Sequence, residues 1–110
     1  METLQINDDV RRIAERLKAL VSARLKVHDV VVFGSRARGD ASVDSDLDVL
    51  IVVESLDHAA EKFISDCAWE AGFADDIVVV PVTISRTTLT ETPLKESVFI
   101  KNVYREGVAV

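Results

Sequence analysis

The sequence has little cysteine and no long hydrophobic run. Its single cysteine, Cys67, cannot form an internal disulfide bond and has no second thiol with which to share a zinc ion. No apolar stretch approaches the roughly 18–20 residues that a membrane-spanning helix needs. The first ten residues, METLQINDDV, lack the basic and then apolar pattern of a signal peptide. These absences predict a cytoplasmic protein that does not contact a membrane.

Basic residues are also fewer than acidic ones. Thirteen Lys and Arg against nineteen Asp and Glu give a net charge of −6. Nonspecific binding to nucleic acid depends on Lys and Arg that neutralise phosphates, so we expect none here. The charge balance favours a small substrate or a basic protein partner.

The composition that remains is that of a folded domain. With 110 residues, of which 48% are hydrophobic and 29% charged, the chain has room for one core. Hydrophobic periodicity predicts helices over residues 7–25, 59–71 and 93–106, and strands over residues 30–33, 46–53 and 76–84. Pro81 in the third strand has no N–H, which predicts an edge position or a bulge. The order α-β-β-α-β-α predicts one α/β (α+β) domain over residues 1–110, a small mixed sheet with helices packed on it.

The first chemical motif is Gly34-Ser35 at the end of a predicted buried strand. A strand that breaks at glycine exposes backbone N–H groups, which bind anions when a helical turn follows. Ser35 adds a hydroxyl group, and Arg36 and Arg38 can pair with phosphate oxygens. The alternative is a tight turn with solvated arginines, because the Walker pattern is absent.

The second motif is Asp46-Leu47-Asp48. Alternate side chains of a strand share one face, so both carboxylates project together while Leu47 packs behind them. Two such carboxylates repel each other unless a cation lies between them. Mg²⁺ typically takes one or two carboxylates together with substrate phosphates. The alternative is the end of a strand with two solvated aspartates.

Taken together, the two motifs predict phosphoryl or nucleotidyl transfer, because they place a metal beside a phosphate chain. Gly34-Ser35, ten intervening residues and Asp46-x-Asp48 match the GS-x10-DxD signature of the DNA polymerase β-like nucleotidyltransferase superfamily. The segment from GSRARG to SDLDVLIVV resembles its minimal nucleotidyltransferase branch, whose small members are often paired with a HEPN-domain protein in toxin–antitoxin modules. The order Asn102, Arg105, Glu106, Gly107 before a final apolar strand is similar to that branch as well, though less specific.

The resemblance implies roles for the residues that match the signature. Gly34 and Ser35 would hold the triphosphate of ATP, and Arg38 would contact phosphate, with Arg36 less directly placed. Asp46 and Asp48 would hold Mg²⁺, two ions in this family, with Mn²⁺ as an alternative.

The family also uses a third carboxylate on a nearby strand, as metal ligand and as base for the acceptor hydroxyl group. The sequence offers Asp76 as the candidate, and Asp75 is an alternative. An alignment anchored on Pro81 places Val78 there instead and leaves the third acid absent.

The resemblance therefore implies transfer of a nucleoside monophosphate, AMP from ATP first of all, to a hydroxyl group on a HEPN-type protein partner. The alternative is a catalytically weak or inactive nucleotide-binding subunit that acts by contact with its partner. Because 110 residues are few to enclose a site that must exclude water, we also expect another chain to cover the site. The sequence leaves open whether that chain is a second copy of the protein, in an oligomer.

Overall fold

The computed structural model describes residues 6–42 and 44–110. Residues 1–5 and Val43, which belong to the predicted domain of residues 1–110, lie outside the described residues. The helices are α1 (Asp8–Ser22), α2 (Ser35–Arg38), α3 (His58–Phe73), α4 (Arg86–Glu91) and α5 (Val98–Glu106), with a 3₁₀ turn at Pro93–Glu96. The strands are β1 (Val27–Phe33), β2 (Leu47–Val53), β3 (Val79–Ser85) and β4 (Val108–Ala109). In this part of the chain no helix has the length and apolar composition to cross a membrane.

The four strands form one mixed sheet in the order β3-β2-β1-β4. β1 is antiparallel to both β2 and β4, whereas β2 and β3 are parallel and are connected through α3. The predicted mixed sheet with packed helices is confirmed. β3 lies at the edge of the sheet, which is where Pro81 can be accommodated without losing a ladder hydrogen bond.

Both faces of the central strand β2 are covered, which explains its nearly continuous apolar sequence. One face packs on α1 and α3 and takes alternate residues of β2, namely Leu47, Val49, Ile51 and Val53. The other face packs on α5 and takes Leu50 and Val52. By the same alternation, Asp48 lies on the α5 face, one step before Leu50.

The prediction of one continuous helix over residues 93–106 is wrong. The backbone of Ser97 is extended (ψ 148°), and its Oγ accepts a hydrogen bond from the N–H of Ile100 at 3.1 Å. Ser97 therefore caps a separate helix, α5, and Pro93–Glu96 is left as a 3₁₀ turn. The short helix α4 is likewise capped, by Ser85, and was not predicted.

Replacing Gly72 with alanine is expected to destabilise the fold. A Cβ atom at Gly72 would collide with the backbone carbonyl oxygen of Ile77 and would lie 3.1 Å from Cγ2 of Val79. Because a backbone atom cannot move aside as a side chain can, we expect the free energy of unfolding to fall by about 2 kcal/mol or more. Urea unfolding measures this change. Ala74→Ser, at an exposed position just after α3, is the control and should stay within about 0.5 kcal/mol of wild type.

Candidate active site

The short helix α2, which follows β1 directly, lies between two glycines with positive φ. Gly34 has φ 75° and ψ −156°, and its carbonyl oxygen accepts hydrogen bonds from the N–H groups of Ala37 at 3.1 Å and Arg38 at 3.0 Å. Gly39 ends the helix at φ 84°, with its N–H donating to the carbonyl oxygen of Ser35 at 3.0 Å. The first amides of a helix have no acceptor within it. The turn can therefore offer N–H donors to an anion.

The two sequence motifs meet at Gly34 and Asp48. Phe33 pairs with Asp48 across the antiparallel strands β1 and β2. A Cβ atom at Gly34 would lie 2.5 Å from Oδ2 of Asp48, which is closer than atoms can pack. Only glycine fits here, because it supplies both the positive φ and the space for the carboxylate. The ten-residue spacing of the signature thus brings the backbone of the turn against the second aspartate.

A cavity of about 440 Å³ opens at this junction and is called the central cavity here. Its lining comprises Phe33, Gly34, Ser35, Arg38, Asp48, Phe99, Asn102, Val103 and Glu106. The volume lies within the range of about 300–1,000 Å³ that is typical of small-molecule sites. Four of the predicted site residues therefore share one cavity: Gly34, Ser35, Arg38 and Asp48.

The carboxylate of Asp48 is destabilised in its charged form. Burial raises the pKa of Asp48, the negative charge of Asp46 raises it further, and the positive charge of Arg38 opposes both effects. A divalent cation would relieve this repulsion, and two carboxylates with substrate phosphates are a donor set that Mg²⁺ accepts. Residues 6–42 and 44–110 contain no group of three or more His, Cys, Asp or Glu side chains that could hold a metal ion by themselves. The residues present thus fit a metal that completes its ligands from the substrate and water.

Asp48→Asn is expected to stabilise the metal-free protein at neutral pH. Because the pKa of Asp48 is higher in the folded than in the unfolded protein, the folded state binds more protons between the two values. The free energy of unfolding therefore falls as pH rises through that window. The asparagine variant does not lose this stability. We expect its melting temperature to exceed that of wild type by a few degrees at pH 7 and to match it near pH 3.

Thermal unfolding monitored by circular dichroism at both pH values measures this difference. Asp66→Asn, which removes an exposed carboxylate on α3, is the matched control. A lower melting temperature for Asp48→Asn than for wild type at pH 7 would show that Asp48 stabilises the fold, contrary to this expectation.

Arg36 does not line the central cavity. Its Nε and Nη2 donate hydrogen bonds to the carbonyl oxygen of Ser45 at 3.0 and 2.8 Å, so the guanidinium braces the loop that leads into β2. It lines a second cavity of about 520 Å³, the acidic cavity, whose other lining residues are Asp44, Ser45, Asp46, Asp75, Asp76, Ile77 and Val78. A direct role for Arg36 in nucleotide binding stays a prediction.

Asp76 and Asp75 occupy the turn between α3 and β3. Asp76 has a positive φ of 54°, and its N–H donates to the carbonyl oxygen of Phe73 at 3.2 Å. It lines the acidic cavity with Asp46, not the central cavity with Asp48. Asp75 accepts hydrogen bonds from Nη2 and Nη1 of Arg12 at 2.8 and 3.2 Å, which lower the pKa of Asp75. Asp75 therefore ties this turn to α1, and a catalytic role for Asp76 stays a prediction.

Valines at the start of β3 and just before it adjoin the aspartate pair. In the parallel register, Asp48 lies beside Val80 and Leu47 beside Val79, so Val78 lies level with Asp46. The side chain of Val79 belongs to the core beneath α3, which puts Val78 and Val80 on the face of Asp48. Val80 is 36% exposed and Val78 is 57% exposed. The alignment anchored on Pro81 places Val78 at the position of the third acid, whereas the residue beside Asp48 is Val80. Which position corresponds to the third acid stays a prediction.

The sequence interpretation assigned no role to α5, although this helix forms one wall of the central cavity. Phe99, Asn102 and Glu106 lie on one side of α5 at a spacing of three and four residues. The ring of Phe99 packs edge-on against Phe33, with ring centroids 5.6 Å apart. Polar residues at helical spacing next to buried Val103 were the available signal, but the sequence did not show which side of α5 faces the site.

The chain matches the family model for the nucleotidyltransferase domain over residues 10–110. A protein of Methanocaldococcus jannaschii that carries the name "Putative protein adenylyltransferase" is 33% identical to it over 105 residues, which cover 93% of this chain and 99% of that relative. These two matches identify the chain as a nucleotidyltransferase, as the sequence predicted. The chain belongs to the nucleotidyltransferase domain family.

Proposed function

We propose that the protein transfers AMP from ATP to a hydroxyl group of a partner protein. The observation that carries this proposal is that the Asp48 carboxylate occupies the space a Cβ atom at Gly34 would need, in one cavity with Ser35 and Arg38. It juxtaposes donors for phosphate with a ligand for metal. The name of the archaeal relative supports adenylyl transfer and a protein acceptor.

In this proposal two sets of residues bind the triphosphate of ATP, one directly and one through Mg²⁺. The amides at Gly34 and Ser35 and the guanidinium of Arg38 bind the terminal phosphates, while Asp46 and Asp48 are the residues that would hold Mg²⁺. When bound, Mg²⁺ neutralises charge on the phosphate oxygens and the leaving group. The acceptor oxygen forms a bond to the α-phosphorus, the bond to the bridging oxygen breaks, and pyrophosphate leaves. Asp76, beside Asp46, is the sequence candidate for the base that takes the hydroxyl proton.

A protein partner of the HEPN type is the finer part of the proposal. Trp69 and Phe73 on α3 are 68% and 69% exposed, with ring centroids 5.7 Å apart. Exposed aromatic pairs of this kind are enriched at protein interfaces. A net charge of −6 suits a basic partner. We propose that the pair acts in the cytoplasm, where the lone thiol Cys67, on the buried side of α3, stays reduced.

A second candidate function is nucleotide binding without appreciable transfer, by a subunit that acts through contact with its partner. The observation that favours it is that valines adjoin the aspartate pair, Val80 beside Asp48 and Val78 level with Asp46, on the neighbouring strand where the family resemblance implies a third carboxylate. Such a protein would bind ATP and its partner, and its aspartates would matter for the first interaction only.

The test is label transfer from ATP labelled at the α-phosphate, with Mg²⁺ and a lysate of the organism that makes the protein. We expect a labelled protein band that disappears with EDTA, because the metal ligands would be left without their cation, and that does not form with γ-labelled ATP. Bound ATP with no labelled protein or small molecule would establish the second candidate. Label from the γ-phosphate would show phosphoryl transfer and contradict the first.

A further inference from the structure

One side of α5 presents a hydrogen-bond donor and an acceptor to the central cavity. Asn102 and Glu106 are four residues apart, so their side chains are neighbours on the helix surface. Arg105 contacts both of them. Its Nη2 donates to Oδ1 of Asn102 at 2.7 Å and lies 3.5 Å from Oε1 of Glu106. With its oxygen bound by Arg105, Asn102 presents its NH₂ group as a donor, while Glu106 is an acceptor.

This pair lies across the β1–α2 turn from the aspartates. Glu106 directly precedes Gly107 and β4, and β4 pairs with β1 on the side opposite to β2. Asp48 lies on β2, so the order of the strands puts Asp48 on one side of β1 and the segment that follows Glu106 on the other. A carboxylate at this end of the cavity repels phosphate and attracts a donor. The nucleoside is the part of a nucleotide that offers such donors.

An adjacent donor and acceptor match the edge of an amino-substituted base. Adenine offers its 6-amino group to a carboxylate and its N1 acceptor to an amide NH₂. Hypoxanthine and guanine reverse both groups, because they have a 6-oxo acceptor and an N1–H donor. The ring of Phe99, 48% exposed at the other end of the same side of α5, is available to the face of a base.

We propose that Asn102 and Glu106 select a nucleotide whose base carries an amino group next to a ring-nitrogen acceptor, as adenine and cytosine do, over its oxo counterparts. Glu106 accepts from the amino group, and Asn102 donates to the ring nitrogen. Arg105 is a positioning residue that fixes the orientation of the Asn102 amide. The selection rests on the proposed nucleotide binding, and it names the recognition that this binding uses.

The experiment is calorimetric titration of the full chain with ATP, inosine triphosphate and inorganic triphosphate, each with Mg²⁺. ATP and inosine triphosphate differ only at the 6-position and at N1 of the base, the groups that Glu106 and Asn102 contact in this proposal. We expect wild type to bind ATP at least about tenfold more tightly than inosine triphosphate, since one charge-assisted hydrogen bond corresponds to roughly tenfold or more. In Glu106→Gln the ratio should fall about tenfold, because glutamine can turn its NH₂ group to the 6-oxo group. Inorganic triphosphate should bind both proteins equally.

Asn102→Asp is the second variant, and it should also lower the ratio because it removes the donor. Glu91→Gln, on the exposed surface of α4, is the control and should keep the wild-type ratio. Equal binding of ATP and inosine triphosphate by wild type would overturn the inference. A second contrary outcome is a Glu106→Gln variant that keeps the ratio of the ATP and inosine triphosphate affinities but binds 2′- or 3′-deoxy-ATP as tightly as ATP. That result would show that the Glu106 carboxylate binds a ribose hydroxyl group instead of the base. If wild type binds neither ATP nor inorganic triphosphate, the proposed function fails first.

Discussion

Replacing Asp48 with asparagine is expected to lower label transfer from α-labelled ATP by about 10²–10³-fold, the loss typical of removing one electrostatic stabiliser of a transition state. Asparagine keeps the size of the aspartate and therefore its contact with the Gly34 backbone. What it removes is the negative charge that would hold the cation beside the phosphates. Label transfer under single-turnover conditions, with the partner protein present, measures the rate.

The same substitution is expected to leave the fold intact or more stable, since burial and Asp46 both disfavour the Asp48 charge in the metal-free protein. Loss of transfer could then not be attributed to unfolding. Asp46→Asn should reduce transfer similarly, and Asp66→Asn, on the exposed surface of α3, should not. Unchanged transfer by a folded Asp48→Asn variant would remove the aspartate pair from the mechanism.

The fold was accessible from the sequence because its signals are local. The apolar run of β2, the spacing of buried residues in α1 and the caps at Asn7 and Asp57 each act within a few residues. The break at Ser97 was missed because residues 93–106 also have helical periodicity. There a serine cap outweighed the periodic pattern.

The candidate site was accessible only where its parts are close in sequence. Gly34 directly follows β1 and Asp48 lies on β2, and these strands are consecutive and pair with each other, so the spacing determines which residues meet. The neighbour of Asp48 on the other side depends on the parallel register of β2 and β3, which is set after a long connection through α3. Asp76 is the acid nearest to β3 in sequence, but it lies two residues before Val78, which is level with Asp46, and four residues before Val80, which lies beside Asp48. The same limit applies to α5, whose packing on the sheet decides which side lines the cavity.

The parallel register of β2 and β3 predicts a gain of activity that sequence spacing alone would not suggest. Val80→Asp is expected to raise label transfer by roughly tenfold or more, because it places a third carboxylate beside Asp48 on the face of the cavity. Val80 lies on an edge strand and is 36% exposed, so an ionised side chain can be solvated there. The added negative charge should also strengthen metal binding, visible as a larger rise in melting temperature with Mg²⁺ than wild type shows.

Three comparisons separate a catalytic carboxylate from a general effect of charge. Val80→Asn, of the same shape without the charge, should give no gain, and Val78→Asp, level with Asp46, should give less. If the base that takes the proton of the acceptor hydroxyl group lies outside the acidic cavity, Asp76→Asn should lower transfer by less than about tenfold. A loss as large as that of Asp46→Asn would instead establish Asp76 as the third acid.

A folded Val80→Asp variant that binds ATP but transfers no faster would mean that the acceptor hydroxyl group is activated from outside this chain. The partner protein would then have to supply the base as well as the acceptor.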